Sequence, residues 1–246
     1  MTGIAAHRVV LRRGSAMLLA DLSLSLGPTG SVAVIGPNGA GKSTLMKVLA
    51  GIETPSSGRV RLDDRDLTQL SSAARARKIG YLPQYFEPHW DLTVADLVQL
   101  GAARAEQLGD GSVATAMERF ELMALRERRW SSLSGGERAR VLLAMVLVID
   151  PPVLLADEPA ASLDIRHRLD VVQALVRRGE DRLSVVVMHD LDLVFRFFER
   201  VLVLDRGRVV ADGLARDLFD HPCLDATFGV TFERLQTTHG PSLRAI

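Results

Sequence analysis

Apolar residues alternate with other residues at Val9 and Leu11 and again at Leu22, Leu24 and Leu26. A period of two predicts strands with one buried face. Val32–Ile35 is a short unbroken apolar run that stops at a glycine-rich turn, as a strand buried on both faces would. Residues 42–50 then predict a helix that closes near Gly51, and 59–62 and 79–82 predict two more strands. From about 85 to 149 the period changes. Thr93 followed by Asp96 is a helix-start signal, and Val94, Leu97, Val98 and Gly101 follow at helical spacing. Residues 112–125 and 136–149 predict further helices. Beyond them strands (153–156, 184–188, 200–205) alternate with helices (165–178, 191–198). Such alternation predicts an α/β fold on a mainly parallel sheet. The chain is expected to form a single domain over 1–246, with 1–84 and 150–246 as its core and 85–149 as an inserted helical subdomain.

Composition narrows the function classes. The 246 residues are 47% hydrophobic, 24% charged and 5% aromatic, which is a globular profile and not a disordered one. Lys plus Arg (30) balance Asp plus Glu (30), so no generally basic nucleic-acid surface is expected. The one cysteine, Cys223, excludes an internal disulfide framework and a cysteine-rich zinc site, and it reads as a packing residue. No stretch of the signal-peptide kind opens the chain. The most apolar region, 141–156, is broken by Asp150, Pro151 and Pro152 before it reaches the roughly 20 residues a bilayer requires. A membrane role is therefore expected to be peripheral.

The chemistry sits in a few short segments. Gly36-Pro37-Asn38-Gly39-Ala40-Gly41-Lys42-Ser43-Thr44 fits the phosphate-binding pattern G-x-x-x-x-G-K-[ST] between a strand and a helix. Its glycines let backbone N–H groups curl around an anion. Lys42 supplies a point charge for the β- and γ-phosphates, Ser43 a hydroxyl for Mg²⁺, and Thr44 extends the cradle onto the first helical turn. A second segment, Val153-Leu154-Leu155-Ala156-Asp157-Glu158, ends an apolar strand in two carboxylates. Asp157 is suited to holding Mg²⁺ and Glu158 to polarising an attacking water. In a third, Leu133-Ser134-Gly135-Gly136-Glu137-Arg138, Ser134 and Glu137 form a capping box. Two glycines in a first helical turn are poor helix formers. They suit a helix start that a phosphate approaches closely.

This third segment resembles the signature motif of ABC ATPases, and with it nearly the whole chain resembles the ATP-binding subunit of an ABC transporter. The resemblance implies a P-loop NTPase core with an antiparallel β subdomain and an inserted helical subdomain. Gln84, in Tyr81-Leu82-Pro83-Gln84, matches the Q-loop glutamine, which implies a link from nucleotide and Mg²⁺ to a transmembrane partner. Ser162-Leu163-Asp164 matches the D-loop, and His189, in Met188-His189-Asp190, the switch histidine. A lone Gln or His is more often structural; order and spacing carry these two. The resemblance also implies that two subunits sandwich two ATPs, so that Ser134, Gly135 and Gly136 act on the partner's nucleotide. The expected catalytic set is Lys42, Gln84, Glu158 and His189, and the expected Mg²⁺ ligands are Ser43, Gln84 and Asp157.

Some positions depart from the family pattern. Arg13, in Leu11-Arg12-Arg13-Gly14, stands where many relatives stack an aromatic ring on adenine; a guanidinium plane can also stack there. Ala139 and Ala160 replace the usual polar residues beside the second and third motifs. The stretches 92–101, 164–169 and 189–193 and the tail Phe228-Gly229-Val230 resemble importer ATPases for iron-siderophores, haem and cobalamin. Ala102-Ala103-Arg104-Ala105 does not match that group's usual run. The resemblance implies ATP and Mg²⁺ as cofactors, a homodimer or paired ATPase subunit, permease subunits in the membrane, an indirectly coupled substrate-binding protein and no nucleic acid. It places the chain on the cytoplasmic face of the cell membrane. Gln84–Asp91, with Tyr85, Phe86 and Trp90, reads equally as core packing and as a socket for a partner helix. The alternative function is a soluble ABC ATPase of iron–sulfur cluster assembly or another non-transport role.

Overall fold

The structure, a computed structural model, describes residues 3–109, 111–238 and 240–246. Its main sheet has six strands: β3 (Gly30–Ile35), β6 (Ile79–Leu82), β7 (Val153–Asp157), β8 (Leu183–Val187), β9 (Arg200–Asp205) and β10 (Arg208–Leu214). They run in the order β10-β9-β3-β8-β7-β6, parallel except for β10. A second, antiparallel sheet packs beside it in the order β2-β1-β4-β5, from β1 (Ile4–Arg13), β2 (Ala16–Leu26), β4 (Ser57–Leu62) and β5 (Arg65–Asp66). Helix α1 (Lys42–Leu49) lies between the two sheets, and α2 (Ser72–Lys78) precedes β6.

Pleating divides the apolar runs of the main sheet between two cores. Val32, Val34, Leu155, Val185 and Leu202 pack with α1 and the antiparallel sheet. Ala33, Ile35, Leu154, Val186 and Val203 pack on the opposite face with the helices. Those helices are α3 (Val94–Ala102), α4 (Ser112–Arg119), α5 (Gly135–Leu147), α6 (Ile165–Arg178) and α7 (Leu191–Phe197). Strands clothed on both faces favour apolar residues at nearly every position, as the sequence has them apart from the buried Ser31 and Ser184. The two-period reading of β1 and β2 holds as well, with Val9, Leu11, Leu22, Leu24 and Leu26 all buried.

The predicted helix over 112–125 is shorter than expected. It stops at Arg119, Glu121 takes a left-handed conformation (φ 54°), and a 3₁₀ turn at Met123–Leu125 follows. The helix expected at 136–149 runs from Gly135 to Leu147. Helix α2 carries no apolar period and buries no residue, so it gave no signal. Beyond residue 205 the sequence pattern predicts no element, but the structure has β10, α8 (Ala215–Leu218), α9 (Cys223–Phe228) and a hairpin of β11 (Phe232–Thr237) with β12 (Gly240–Ala245). Phe232 and Leu243 pack that hairpin on the core, and polar contacts fix its place. Arg234 pairs with Asp225, whose carboxyl is brought to about 2 mainly by that bond. Asp192 accepts from Leu243 N–H (2.8 Å) and from the Ser242 hydroxyl (3.1 Å). Among the described residues no helix is long and apolar enough to cross a membrane.

Helices α3 and α5 cross at Gly101, where a Cβ would lie 2.0 Å from Met145 O. Arg104 fastens the crossing by donating to Gly101 O, Met145 O and Val146 O at 2.7–2.9 Å. Gly101→Ala must push two helix backbones apart. It should destabilise the protein by about 3 kcal/mol, read by urea denaturation; a loss within experimental error would mean the crossing is not close-packed.

Candidate functional site

A parallel sheet presents the carboxyl ends of its strands along one edge, and there the loops converge. β3 ends at Ile35 and opens into residues 36–44, β7 ends at Asp157, β8 at Val187 just before His189, and β6 at Leu82 just before Gln84. The fold therefore brings the sequence-predicted Gly36–Thr44, Asp157, Glu158, Gln84 and His189 to one edge.

In the first loop Gly36 (φ 148°) passes so near the backbone that a Cβ would sit 2.1 Å from Leu204 O. Gly41 (φ 99°) caps α1 without a side chain, and no acidic residue occupies the first turn. The N-terminal N–H groups of α1 therefore face the loop without a carboxylate, a setting that favours an anion. Lys42 is buried. Its Nζ donates to Gly36 O (2.8 Å) and Pro37 O (3.0 Å). Burial lowers its pKa, and the carboxylates of Glu158 and Asp157 pull it back up.

Asp157 is 2% exposed, and its Oδ1 has no hydrogen-bond partner. Burial raises its pKa; a hydrogen bond from Ser43 is the largest opposing effect. A buried carboxylate oxygen left unsatisfied beside a serine hydroxyl is a costly arrangement that a bound cation would relieve. The donor set fits a hard, oxygen-loving ion. Glu158, the next residue, is held in the left-handed region (φ 52°), an uncommon conformation for a side chain of its size. That turn sends its carboxylate to His189, with Oε1 2.8 Å from Nε2.

Gln84 lies exposed beyond β6. It lines a cavity of about 620 Å³ together with Tyr85, Arg138, Glu158, Gly135 and Ser162. No residue of 36–44 lines that cavity. At its far side Ser134 caps α5 as expected: Glu137 N–H donates to Ser134 Oγ (3.3 Å) and Ser134 N–H to Glu137 Oε2 (2.7 Å). Gly135 accepts from the Ser162 hydroxyl at 3.4 Å. Ser134 and Gly135 are exposed, Gly136 half-buried. Arg13 ends β1 and pairs with Glu53 at 2.9 Å, just past α1.

The model of the ABC transporter family matches residues 19–161 of this chain. The chain belongs to the ABC transporter family. It is an ATP-binding, ATP-hydrolysing cassette of that family. It is 39% identical to the hemin import ATP-binding protein HmuV of Nitrobacter winogradskyi, over 85% of this chain and 82% of that one. It is 36% identical to HmuV of Rhodopseudomonas palustris, over 93% and 91%. A solved ATP-binding cassette, captured as a dimer after hydrolysis with ADP and phosphate bound, superposes with a TM-score of 0.79 at 26% identity, over 87% of this chain and 99% of that one.

Within this cassette the aromatic residues after Gln84 divide. Phe86 packs edge-on against Trp130 at 5.5 Å and joins the core. Tyr85 and Trp90 are 84% and 71% exposed. Core packing and an open surface are thus both present, in different residues. Two features of the cassette escaped the sequence reading. Tyr81 has a buried hydroxyl without a partner, and burial pushes its pKa up to about 12. Arg168 shares a cavity of about 200 Å³ with Glu158 and His189. Its sequence signal was its place in the stretch 164–169, which assigned it no role of its own.

The loop glycines are not equivalent. Gly36→Ala forces a backbone clash and should abolish nucleotide binding, whereas Gly39 (φ 79°) has open space around it. Gly39→Ala meets only the left-handed penalty, about 1 kcal/mol, and should keep affinity within a few-fold in a fluorescent-nucleotide titration. Equal losses from both substitutions would contradict this loop geometry.

Proposed function

We propose that the cassette drives an ABC importer for haem or a related metal chelate, as one of two copies that enclose two ATP molecules. The family supports ATP hydrolysis, and relatives named hemin import ATP-binding proteins at 36–39% identity support the cargo and direction. The same relatives favour transport over a soluble role in iron–sulfur cluster assembly. What supports the two-copy reading is the solved cassette captured as a dimer with ADP and phosphate, together with an exposed α5 start beside a cavity that residues 36–44 do not line. Each half is then completed by the other copy. The cassette would sit peripherally on the cytoplasmic side, with permease subunits and, through them, a substrate-binding protein as partners. Exposed Tyr85 and Trp90 suit an apolar socket for a permease helix.

In this reading the amides of Gly36–Thr44 and the Lys42 ammonium hold the β- and γ-phosphate oxygens. Arg13, steadied by Glu53, stacks on the base. Glu158 accepts the proton of a water as its oxygen attacks the γ-phosphorus, and the bond to the leaving oxygen breaks to give ADP and phosphate. His189, 2.8 Å from Glu158, orients that carboxylate and meets the γ-phosphate. Ser43, Asp157 and Gln84 would hold Mg²⁺. When bound, the ion neutralises charge on the phosphate oxygens. Ser134, Gly135 and Gly136 present the α5 N–H groups to the second copy's nucleotide.

Glu158→Gln should keep ATP affinity, lower turnover at least about 100-fold and accumulate a nucleotide-bound dimer in sedimentation. Wild-type turnover would remove Glu158 from the role of base. Ser134→Arg should block closure of its own homodimer around ATP and leave monomer nucleotide binding intact; loss of both would make the α5 start merely structural. Cargo is tested with the complex co-purified from membranes and reconstituted with its binding protein. Haem should raise ATPase activity several-fold. No co-purifying membrane protein, or stimulation only by a ligand that is not a metal chelate, would refute this reading.

A further inference from the structure

The loop leading away from Gln84 is fastened side chain by side chain to the turn leading into α5. Asp91 accepts from Ser131 N–H and from the Ser131 hydroxyl, both at 2.9 Å. Its carbonyl accepts from Arg129 Nη1 at 2.7 Å. Glu87 accepts from the Trp130 indole N–H at 3.1 Å. Its other oxygen lies 3.7 Å from Arg138, whose guanidinium stacks 5.0 Å from the centre of the Trp130 ring. Backbone bonds from Trp130 N–H to Leu92 O (2.9 Å) and from Val94 N–H to Arg128 O (3.0 Å) complete the seam. Ser134, the cap of α5, stands three residues past Ser131.

The arrangement is lopsided in a way that packing does not require. Trp130 is buried at 2% exposure and already anchors the turn through Phe86. The Asp91–Ser131 bonds and the Glu87–Arg138 pair lie toward solvent, where a polar contact adds little stability, while the Glu87–Trp130 bond is half-buried. They do fix direction and register. They also lie on the loop that carries the exposed rings: Glu87 two residues after Tyr85, Asp91 next to Trp90.

We propose that Asp91 and Glu87 are positioning residues that hold Ser134, Gly135 and Gly136 in the attitude needed to meet the second copy's nucleotide. This inference rests on the two-copy reading above. Asp91 acts through Ser131 and Glu87 through Trp130 and Arg138; neither touches the nucleotide.

The test uses the full chain carrying Glu158→Gln, which holds ATP without turnover, and measures by sedimentation the ATP concentration for half-dimerisation. Asp91→Ala should raise it about tenfold, since two bonds to a charged acceptor are lost. Glu87→Ala should raise it about threefold. Asp91→Asn, which keeps an acceptor for Ser131 N–H, should stay within about twofold. Binding of a fluorescent ATP analogue to the Ser134→Arg monomer should not change when either residue is also replaced. The inference is overturned if Asp91→Ala and Glu87→Ala dimerise like the parent, if they lose monomer nucleotide binding, or if Asn is as damaging as Ala. If Ser134→Arg itself dimerises normally, the two-copy reading falls instead, whatever the Asp91 variants do.

Discussion

Burial of the central strands on both faces is the constraint from which the rest follows. β3, β7 and β8 send alternate residues into two separate cores, so nearly every position along them is apolar. Chemistry can then sit only where the strands end. Because they are parallel, their carboxyl ends fall on one edge, and residues distant in sequence, such as Lys42, Asp157, Glu158 and His189, are gathered there without any long-range design beyond strand order.

That edge is electrostatically unfinished. A buried ammonium leans on two loop carbonyls, and a buried carboxylate has an oxygen with no partner. Burial acts against the charged form of both groups, lowering the Lys42 pKa and raising that of Asp157. Phosphate and a cation would complement both. The left-handed Glu158 belongs to the same economy of strain and function, since its backbone conformation brings its carboxylate to His189.

Much of this could be read before any coordinates. Period-two and unbroken apolar runs located β1–β3 and β6–β9, and capping boxes at Thr93 and Ser134 located the starts of α3 and α5. Helix α2 was invisible because it buries nothing, and the last turn predicted for α4 failed because Glu121 turns left-handed. The C-terminal hairpin is held by Phe232 and Leu243 packing on the core and by polar contacts of Arg234 with Asp225 and of Asp192 with Ser242 and Leu243, too few apolar positions to leave a period in the sequence. At the site, motif spacing nominated candidate residues but could not say which face each other. The Glu158–His189 contact, the pairing of Arg13 with Glu53, the orphaned Tyr81 hydroxyl and the divided fate of Phe86 and Trp90 are all products of tertiary placement.

The central claim is that each nucleotide pocket is built from two chains, and complementation tests it most directly. A Lys42→Ala copy has lost its own loop but keeps a sound α5 start; a Ser134→Arg copy has the opposite defect. Mixed in equal amounts with ATP, they can form one intact pocket per heterodimer. Hydrolysis clearly above that of either variant alone is the predicted result. Activity that never exceeds the sum of the two separate variants, at concentrations where they sediment as mixed dimers, would contradict the account.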